Sequence, residues 1–288
     1  MKIRLILLLS ALLPLSAGAG QSSLMLGLGA GYGAEYEGSD KTETTALPLI
    51  NWEWQRDESC AGGFGLHRAS AGVEGVGAAF WCAGRAAVSV NGGYDLGRDS
   101  GDSAYLSGLP DVDGGASIGL GFQFGDEGEG GEEWQQQEGG FGFELGIATV
   151  DGDLVANAEV SYPLFGFLEA GIGVNYADKG RTQKYFGVIG NDSSNMMAGD
   201  KMGECAVVAE GNGNYSGMNY CSQIGGGIQS WTLSLETFIP LPFGGGESWA
   251  VNIGVDHTTL AGDAADSPLV RDKSSTEVSA AVVWFRER

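Results

Sequence analysis

The chain contains two histidines, His67 and His257, the residue type that most often acts as a general base near neutral pH. His257 lies between Asp256 and Thr258, so a hydroxyl nucleophile with a histidine base is one chemistry to consider. Successive residues of a strand point to opposite faces, however, so Asp256 and His257 cannot easily pair there. We therefore interpret both histidines as structural residues and expect no enzymatic activity. A lipid-modifying enzyme, the alternative, would need one of them to be essential.

Two short acidic segments resemble fragments of calcium loops: Asp111-Val112-Asp113-Gly114 and Asp151-Gly152-Asp153. Both lack the later ligands and the closing glutamate of a full site, and Asp and Gly favour tight turns. The run Gly225-Gly226-Gly227 is not a phosphate loop, because no Lys-Ser/Thr follows it. The sequence therefore predicts neither a metal site nor a cofactor site.

Four cysteines are present: Cys60, Cys82, Cys205 and Cys221. An even number of cysteines in an exported chain favours disulfides, because the periplasm is oxidising. We predict the two local pairs, Cys60–Cys82 and Cys205–Cys221. The chain has no CxxC or Cys/His spacing of the kind that binds zinc.

The first residues have the pattern of an export signal. Lys2 and Arg4 precede an apolar run that ends near Leu15, and Ala17-Gly18-Ala19 has the small residues of a cleavage site. The apolar run is shorter than the roughly 20 residues that cross a bilayer. We predict a Sec-type signal peptide over residues 1–19 and a mature domain over residues 20–288.

Composition narrows the class of protein further. The chain has 15 basic and 37 acidic residues, a net charge of −22, which disfavours nucleic acid as a partner. Its 51 glycines are spread along the chain and are costly inside helices, so they favour strands and turns. Acidic loops also suit a cell surface where divalent cations are present.

Apolar and small residues alternate with a period of two. Leu24, Leu26 and Leu28 alternate with Met25, Gly27 and Gly29, which is typical of a lipid-out, lumen-in strand. The pattern predicts about 12 strands of a length that can span a membrane. They lie near 23–34, 44–54, 61–68, 74–83, 85–96, 114–124, 140–149, 154–162, 167–177, 223–238, 248–259 and 275–286.

Many of these strands carry an aromatic residue near one end, where an amphipathic ring is stable at a membrane–water interface. They are Tyr32, Trp81, Tyr94, Phe124, Tyr162, Tyr176, Trp231, Trp249 and Trp284. The strands of a soluble β-sandwich also alternate between apolar and polar residues, but they average only about 5 to 6 residues in length. We therefore predict an all-β fold, a single closed antiparallel transmembrane β-barrel.

An even strand number puts both termini on the periplasmic side and the longer loops outside. The segments 97–113, 178–222 and 260–274 are long and fall outside, as this rule requires. The segment 178–222 is also long enough to fold inward over a narrow lumen. Residues 125–139 break the rule, because they are long and acidic yet fall on the periplasmic side.

The segment from Tyr94 to Ser100 has a physical interpretation of its own. Arg98 lies beside Asp95 and Asp99 at a predicted strand end, so a charge-assisted hydrogen bond there would tie a loop into the barrel mouth. A ligand site is the alternative, and we favour the structural role.

Four segments together resemble the MipA/OmpV family of outer-membrane proteins. They are Gly31 to Asp40 followed by Leu47-Pro48-Leu49-Ile50; Tyr94-Asp95-Leu96-Gly97-Arg98-Asp99-Ser100 followed by Leu106 to Leu109; Tyr185-Phe186-Gly187-Val188; and Leu260 to Val270 with Ser267-Pro268. The segments follow the family's order and cover nearly all of the mature chain. The resemblance identifies Tyr94, Asp95, Gly97, Arg98, Asp99, Tyr185, Gly187, Ser267 and Pro268 as motif residues.

The resemblance implies a barrel in the Gram-negative outer membrane, in contact with lipid and lipopolysaccharide. It also implies a scaffold role, because some family members join a lytic murein transglycosylase to a bifunctional penicillin-binding synthase. We therefore expect a non-enzymatic scaffold or interaction protein. The alternative is a narrow channel for small polar or cationic solutes, which the small, polar inner face and the acidic loops favour.

Overall fold

The computed structural model describes residues 20–56, 62–73, 75–101, 103, 106, 111–125, 141–164, 168–187, 206–207, 219–220, 224–242, 249–267 and 269–287. The predicted signal peptide, the acidic segment 126–139, Cys60, Cys205, Cys221 and Pro268 lie outside these residues. The predictions made for them remain predictions.

Twelve long strands form one closed antiparallel barrel. They are β1 Gly20–Ala34, β2 Thr42–Arg56, β3 Gly63–Gly72, β4 Gly75–Ala83, β5 Ala86–Asp95, β6 Gly115–Gly125, β7 Gly142–Val150, β8 Asp153–Leu164, β9 Leu168–Ala177, β12 Gly227–Pro240, β13 Trp249–Leu260 and β14 Ser274–Glu287. A two-stranded sheet, β10 Ala206–Val207 with β11 Asn219–Tyr220, is separate from the barrel. The twelve predicted strands are confirmed, each within a few residues.

Each barrel strand pairs with its neighbours along the chain, and β1 closes the ring. On one edge β1 pairs with β2, from Gly20 opposite Arg56 to Ala34 opposite Thr42. On the other edge it pairs with β14, from Ser23 opposite Glu287 to Tyr32 opposite Val278. Closure leaves no open sheet edge, which is what a sheet in a bilayer requires.

The two faces of the wall differ as the alternation predicts. Leu28 is 69% exposed, Ile118 64% and Leu233 56%, and these residues share the outer face. Glycine, serine and asparagine occupy the inner face, for example Asn91 opposite both Gly77 and Gly119. The outer face is therefore apolar, as a lipid-facing surface must be.

The aromatic residues form two belts on the outer face. Tyr32, Tyr94, Tyr176 and Trp231 lie at the strand ends on one side of the barrel. Trp81, Phe124, Tyr162, Trp249 and Trp284 lie near the strand ends on the other side. Two such belts are the arrangement expected where a barrel meets the two membrane–water interfaces.

We name the two ends of the barrel by their connections. The connections after β1, β3, β5, β7, β9 and β13 lie at what we call the mouth end, and both ends of the described chain lie at the opposite, termini end. Three of the four longest connections, 96–114, 178–226 and 261–273, leave strands at the mouth end, and the fourth, 126–141, leaves the termini end. The loop-length rule therefore favours the mouth end as the extracellular end.

The inside of the barrel near the termini end contains a small apolar core. Ala250, Ala281 and Val283 are buried there, and Met25, Leu49, Phe238 and Phe285 pack against them. This core fills part of the lumen between β12, β13, β14, β1 and β2. It lies at the opposite end from the site described below.

Two short helices lie at the mouth end: α1 Lys179–Phe186 and α2 Gly262–Ala265. Helix α1 was not predicted, and it occupies the start of the segment 178–222 that we expected to be long enough to fold inward. Within the described part of the chain, no helix combines the length and the apolar character needed to cross a membrane.

Candidate functional site at the barrel mouth

Asp178 starts helix α1 and fixes it to the barrel wall. Its carboxylate accepts hydrogen bonds from the backbone N–H of Arg181 at 2.9 Å and of Leu154, in β8, at 2.9 Å. The first is a standard N-cap, which satisfies an N–H group that has no partner within the helix. These two backbone hydrogen bonds, that to Arg181 first, lower the pKa of Asp178.

Asp95, the last residue of β5, is the centre of a polar cluster. Its Oδ1 accepts the N–H of Gly97 at 2.7 Å and the hydroxyl of Tyr185 at 2.8 Å. Its Oδ2 forms an ion pair with the guanidinium of Arg181, and the two side chains are 22% and 16% exposed. Charge-assisted bonds at this degree of burial are stronger than those on an open surface.

Tyr185 joins these groups through its ring as well. The guanidinium carbon of Arg181 lies 4.0 Å from the centre of the Tyr185 ring. Burial raises the pKa of Tyr185 to about 12, and the hydrogen bond to Asp95 adds to this rise. Tyr185 therefore stays protonated, and donates to Asp95, throughout the physiological range of pH.

Arg98 ties the segment after β5 to α1. Its backbone pairs with that of Val112 in both directions, at 3.0 and 2.8 Å. Its Nη1 donates to the carbonyl oxygen of Tyr185 at 2.5 Å. This geometry fits the expected role of Arg98, a charge-assisted bond that holds a loop in the mouth. The cation that pairs with Asp95 is Arg181, however.

A second ion-pair group holds the middle of α1 to the turn between β7 and β8. Lys184 Nζ lies 2.7 Å from Asp153 Oδ2 and 3.3 Å from Asp151 Oδ2. The hydrogen bond to Asp153 is the largest cause of a raised pKa of Lys184. Asp151 and Gly152 form a tight turn with φ of 50° and 86°, as the sequence predicts.

The end of α1 contacts the connection between β13 and β14. Ser267 Oγ donates to the carbonyl oxygen of Phe186 at 2.5 Å and accepts from the N–H of Leu269 at 3.1 Å. Tyr36, from the connection between β1 and β2, donates to the carbonyl oxygen of Leu269 at 3.1 Å. Leu269 is 1% exposed, so this contact is in the interior of the mouth.

Apolar side chains lie among these polar contacts. Phe186, Ile224, Leu260, Ala264 and Ala265 form a buried cluster, and Tyr185 and Val270 pack against it. The cluster joins α1, the segment just before β12, the end of β13 and α2. We call the polar contacts and this cluster together the mouth cap.

The order of strands in the ring shows that the mouth cap crosses the lumen. Helix α1 contacts Asp95 at the end of β5 and Ser267 in the connection between β13 and β14. In the ring β1-β14-β13-β12-β9-β8-β7-β6-β5-β4-β3-β2, strands β5 and β14 are on nearly opposite sides. A helix with partners from both sides lies over the opening between them.

Below the mouth cap the inner wall is acidic and wet. Glu144, Glu159, Glu236 and Asp256 share the inner face with Asn91 and Asn157, as their register shows. Glu144, Glu159, Glu236, Asn91 and Asn157 are exposed to solvent-accessible space. Arg68, paired with Glu53, is a cation on the same face.

The structure brings most of the motif residues together. Asp95, Gly97, Arg98, Tyr185 and Ser267 are in the mouth cap, and Gly187 donates its N–H to Gln183 at the end of α1. Asp99 lies in the adjoining loop and accepts the N–H of Gly101 at 2.8 Å. Tyr94 is 60% exposed on the outer face, where it belongs to the aromatic belt instead.

The remaining candidate residues lie elsewhere. His257 Nδ1 lies 2.9 Å from Thr276 Oγ1 on the outer face, whereas Asp256 is on the inner face, so the two do not pair. His67 Nε2 lies 3.2 Å from the carbonyl oxygen of Gly63. The segment 111–114 is not the tight turn we expected, because Val112 bridges to Arg98 and Asp111 accepts the N–H of Ser100.

Cys82 is buried and carries no free thiol, and the three other cysteines lie outside the described residues. The pairs Cys60–Cys82 and Cys205–Cys221 therefore stay predictions. Among the residues that the structure describes, no group of three or more His, Cys, Asp or Glu side chains is placed to hold a metal ion.

Arg181, Lys184 and Asp178 are the site residues that the sequence analysis did not find. Their partners are distant along the chain; Arg181 and Asp95, for example, are 86 residues apart. One local signal was available, since Asp178 directly after a predicted strand and three residues before Arg181 is a helix N-cap position.

Comparison with known proteins gives a family and a set of distant barrels. The family model of the MltA-interacting protein MipA matches residues 26–285. No curated protein matches the chain.

Solved outer-membrane structures resemble the chain only distantly. A deletion mutant of the TodX monoaromatic hydrocarbon channel is 7% identical, with a TM-score of 0.32 and coverage of 94% of this chain and 91% of that one. OccK5 (OpdH) of Pseudomonas aeruginosa is 12% identical, with a TM-score of 0.29 and coverage of 93% and 98%. OmpT of Vibrio cholerae is 9% identical, with a TM-score of 0.28 and coverage of 94% and 99%. TM-scores this low support no transfer of activity, and the barrel is defined by its own strand pairs.

Proposed function

Because the chain belongs to the MipA family, which is named for a protein that interacts with MltA, we propose that it is a β-barrel scaffold of the Gram-negative outer membrane that links murein-remodelling enzymes to that membrane. The family match over residues 26–285 is the observation that carries this proposal. The partners would be a periplasmic lytic murein transglycosylase and a penicillin-binding synthase.

The outer face supports the location. A closed barrel with apolar residues outside and aromatic belts at both strand ends is suited to lipid and lipopolysaccharide. A Sec-type signal peptide would supply the export route.

The mouth cap supports an interaction role over transport. It places five buried apolar residues and several charge-assisted bonds across the mouth end of the lumen. A barrel whose mouth is covered at rest would act through its surfaces. The periplasmic surface is the termini end, where Arg85 is exposed in the turn between β4 and β5.

Retention of the folded barrel on an immobilised lytic murein transglycosylase tests the proposal. We expect the wild-type barrel to be retained and Arg85→Glu to weaken retention about tenfold, as for a charge at the rim of an interface. Lys273→Glu is the matched control: Lys273 is an exposed cation at the mouth end, and its change should leave retention unaltered.

Heat-modifiable gel mobility shows that each variant is folded before binding is measured. No retention of the folded wild-type barrel would contradict the scaffold role. Equal retention of the Arg85→Glu variant would contradict binding through the termini end.

A second candidate is a narrow channel for small polar or cationic solutes. The acidic inner wall favours it, because Glu144, Glu159, Glu236 and Asp256 would attract cations and repel anions. Reproducible cation-selective current through the folded barrel would move this candidate ahead of the scaffold.

A further inference from the structure

We propose that helix α1 is a releasable plug, which closes the extracellular mouth at rest and, when its two ion-pair groups are broken, opens the lumen to small solutes. This inference concerns the barrel alone and is independent of whether the termini end binds a murein enzyme. Four observations support this proposal: the position of α1, the chemistry of its contacts, the low stability of an isolated helix of this length and the cavity beside it.

The position of α1 closes the lumen. Its contacts with the end of β5, with the β7–β8 turn and with the connection before β14 come from three parts of the ring. The inner wall below it is exposed to solvent-accessible space at Asn91 and Glu159. Helix α1 therefore lies between this solvent-accessible inner wall and the outside.

Polar contacts account for most of the attachment of α1. Two of its eight residues, Thr182 and Phe186, are buried. Its charged contacts are those of Arg181 with Asp95 and of Lys184 with Asp151 and Asp153. Hydrogen bonds from neutral donors add to them: Tyr185 donates to Asp95, and Ser267 donates to the carbonyl oxygen of Phe186. Arg98 and Gln229 also donate to α1, at the carbonyl oxygen of Tyr185 and the hydroxyl of Thr182. Lys184 and Asp151 are 40% and 71% exposed, so solvent can compete for the Lys184 contacts.

Helix α1 has little stability of its own. An eight-residue helix is shorter than the roughly 12 to 15 residues that isolated helices need in water. Its second residue is Gly180, which adds a conformational entropy cost. Loss of its tertiary contacts should therefore release or unfold α1 while the strand pairs remain.

The surroundings of α1 leave it room to move. A cavity of about 300 Å³ lies beside it, lined by Thr182, Gly225, Gly226, Gly227, Trp231 and Ala261 among others. The helix is also held on that side, because Gln229 of β12 donates to Thr182 at 2.9 Å and Phe186 packs against Ile224. Release of α1 into this space would break those contacts and leave the strand pairs of the barrel wall in place.

Labelling of a cysteine on the inner wall measures the state of the plug. Asn91→Cys places a thiol on the inner face of β5, below the mouth cap. The probe is a small, membrane-impermeant, cationic thiosulfonate added to the extracellular side of intact cells. We expect slow labelling of Asn91→Cys alone, and labelling about tenfold faster when Arg181→Gln and Lys184→Gln are added.

Two controls make the result specific. Asp40→Cys, exposed in the connection between β1 and β2, should be labelled fast and at the same rate with or without the two glutamine changes. Lys273→Gln removes an exposed ion pair with Asp266 at the same end of the barrel, in which no residue of α1 takes part, and should not speed the labelling of Asn91→Cys. Heat-modifiable mobility and wild-type resistance to urea confirm that the barrel wall is intact in every variant.

Two outcomes would overturn the proposal. One is labelling of Asn91→Cys as fast as that of Asp40→Cys in the otherwise wild-type chain, because the mouth would then be open at rest. The other is unchanged slow labelling when both ion-pair groups are removed from a folded barrel, because α1 would then be a fixed part of the wall. Either result leaves the scaffold proposal standing, since that proposal is tested by retention on the transglycosylase.

Discussion

At the scale of single residues, Asp95 joins the motif segments into one structure. Its carboxylate binds the N–H of Gly97, the hydroxyl of Tyr185 and the guanidinium of Arg181. The order of the motifs along the chain gives no indication that they meet in space. Because Asp95, Arg98, Tyr185 and Ser267 all contribute to the mouth cap, their presence in one sequence has a physical reason.

Tyr185 makes the stability of the mouth cap depend on pH in the alkaline range. Its folded-state pKa of about 12 lies above the value near 10 of a tyrosine in an unfolded chain, because burial and then Asp95 favour the protonated form. Its contribution to stability is therefore fully present below about pH 10 and is lost as pH rises toward about 12.

An ultraviolet titration of tyrosinate, wild type minus Tyr185→Phe, measures this directly. We expect the difference curve to show one group titrating near pH 12. A group that titrates near pH 10 would show that the hydroxyl of Tyr185 is not held by Asp95.

The sequence indicated a residue that ties a loop into the mouth but could not identify its distant partner. Arg98 was expected to tie a loop into the mouth, and it does so through the carbonyl oxygen of Tyr185. The Asp95–Arg181 pair was not expected, because no periodicity or spacing links residues 86 positions apart.

At the scale of elements, the strands were predictable and α1 was not. A strand that is half exposed to lipid shows its two-residue period directly in the sequence, and each predicted strand coincides with an observed one. Helix α1, with the sequence KGRTQKYF, has no apolar stripe, so its pattern indicates no helix. Its cap by Asp178 and its tertiary contacts determine it instead.

Gly97 sets the direction of the chain as it leaves β5. Its φ is 74°, and a Cβ there would lie 2.0 Å from the carbonyl oxygen of Val112. Gly152, in the β7–β8 turn, has a similar φ of 86° but nothing within 4 Å of a Cβ. An alanine substitution at Gly152 therefore tests backbone strain alone, whereas one at Gly97 tests backbone strain together with a steric conflict.

We expect Gly152→Ala to cost about 1–2 kcal/mol of the free energy of unfolding, from the left-handed backbone alone. Gly97→Ala should cost roughly 1–3 kcal/mol more, because the Arg98–Val112 bridge must also move. Urea unfolding of the barrel, followed by tryptophan fluorescence, measures both. Equal losses in the two variants would contradict a close approach of Val112 to Gly97.

At the scale of the whole molecule, closure of the sheet and closure of the mouth are separate features. The ring of twelve strands removes every edge, and the apolar outer face and aromatic belts fit a membrane. The apolar side chains near the termini end narrow the lumen from one side, and the mouth cap covers it from the other. The barrel topology could be predicted from the number of strands and the loop lengths. The mouth cap could not, because it depends on contacts between segments that are distant along the chain.

Single-channel recording of the purified, folded barrel in a planar bilayer tests most directly whether this is a sealed barrel that acts through its surfaces. Heat-modifiable mobility establishes that the inserted protein is folded. We predict a silent bilayer, because the mouth cap covers the lumen in the resting protein. Reproducible cation-selective steps from the wild-type barrel would contradict the account and make the acidic inner wall the selectivity element of a channel.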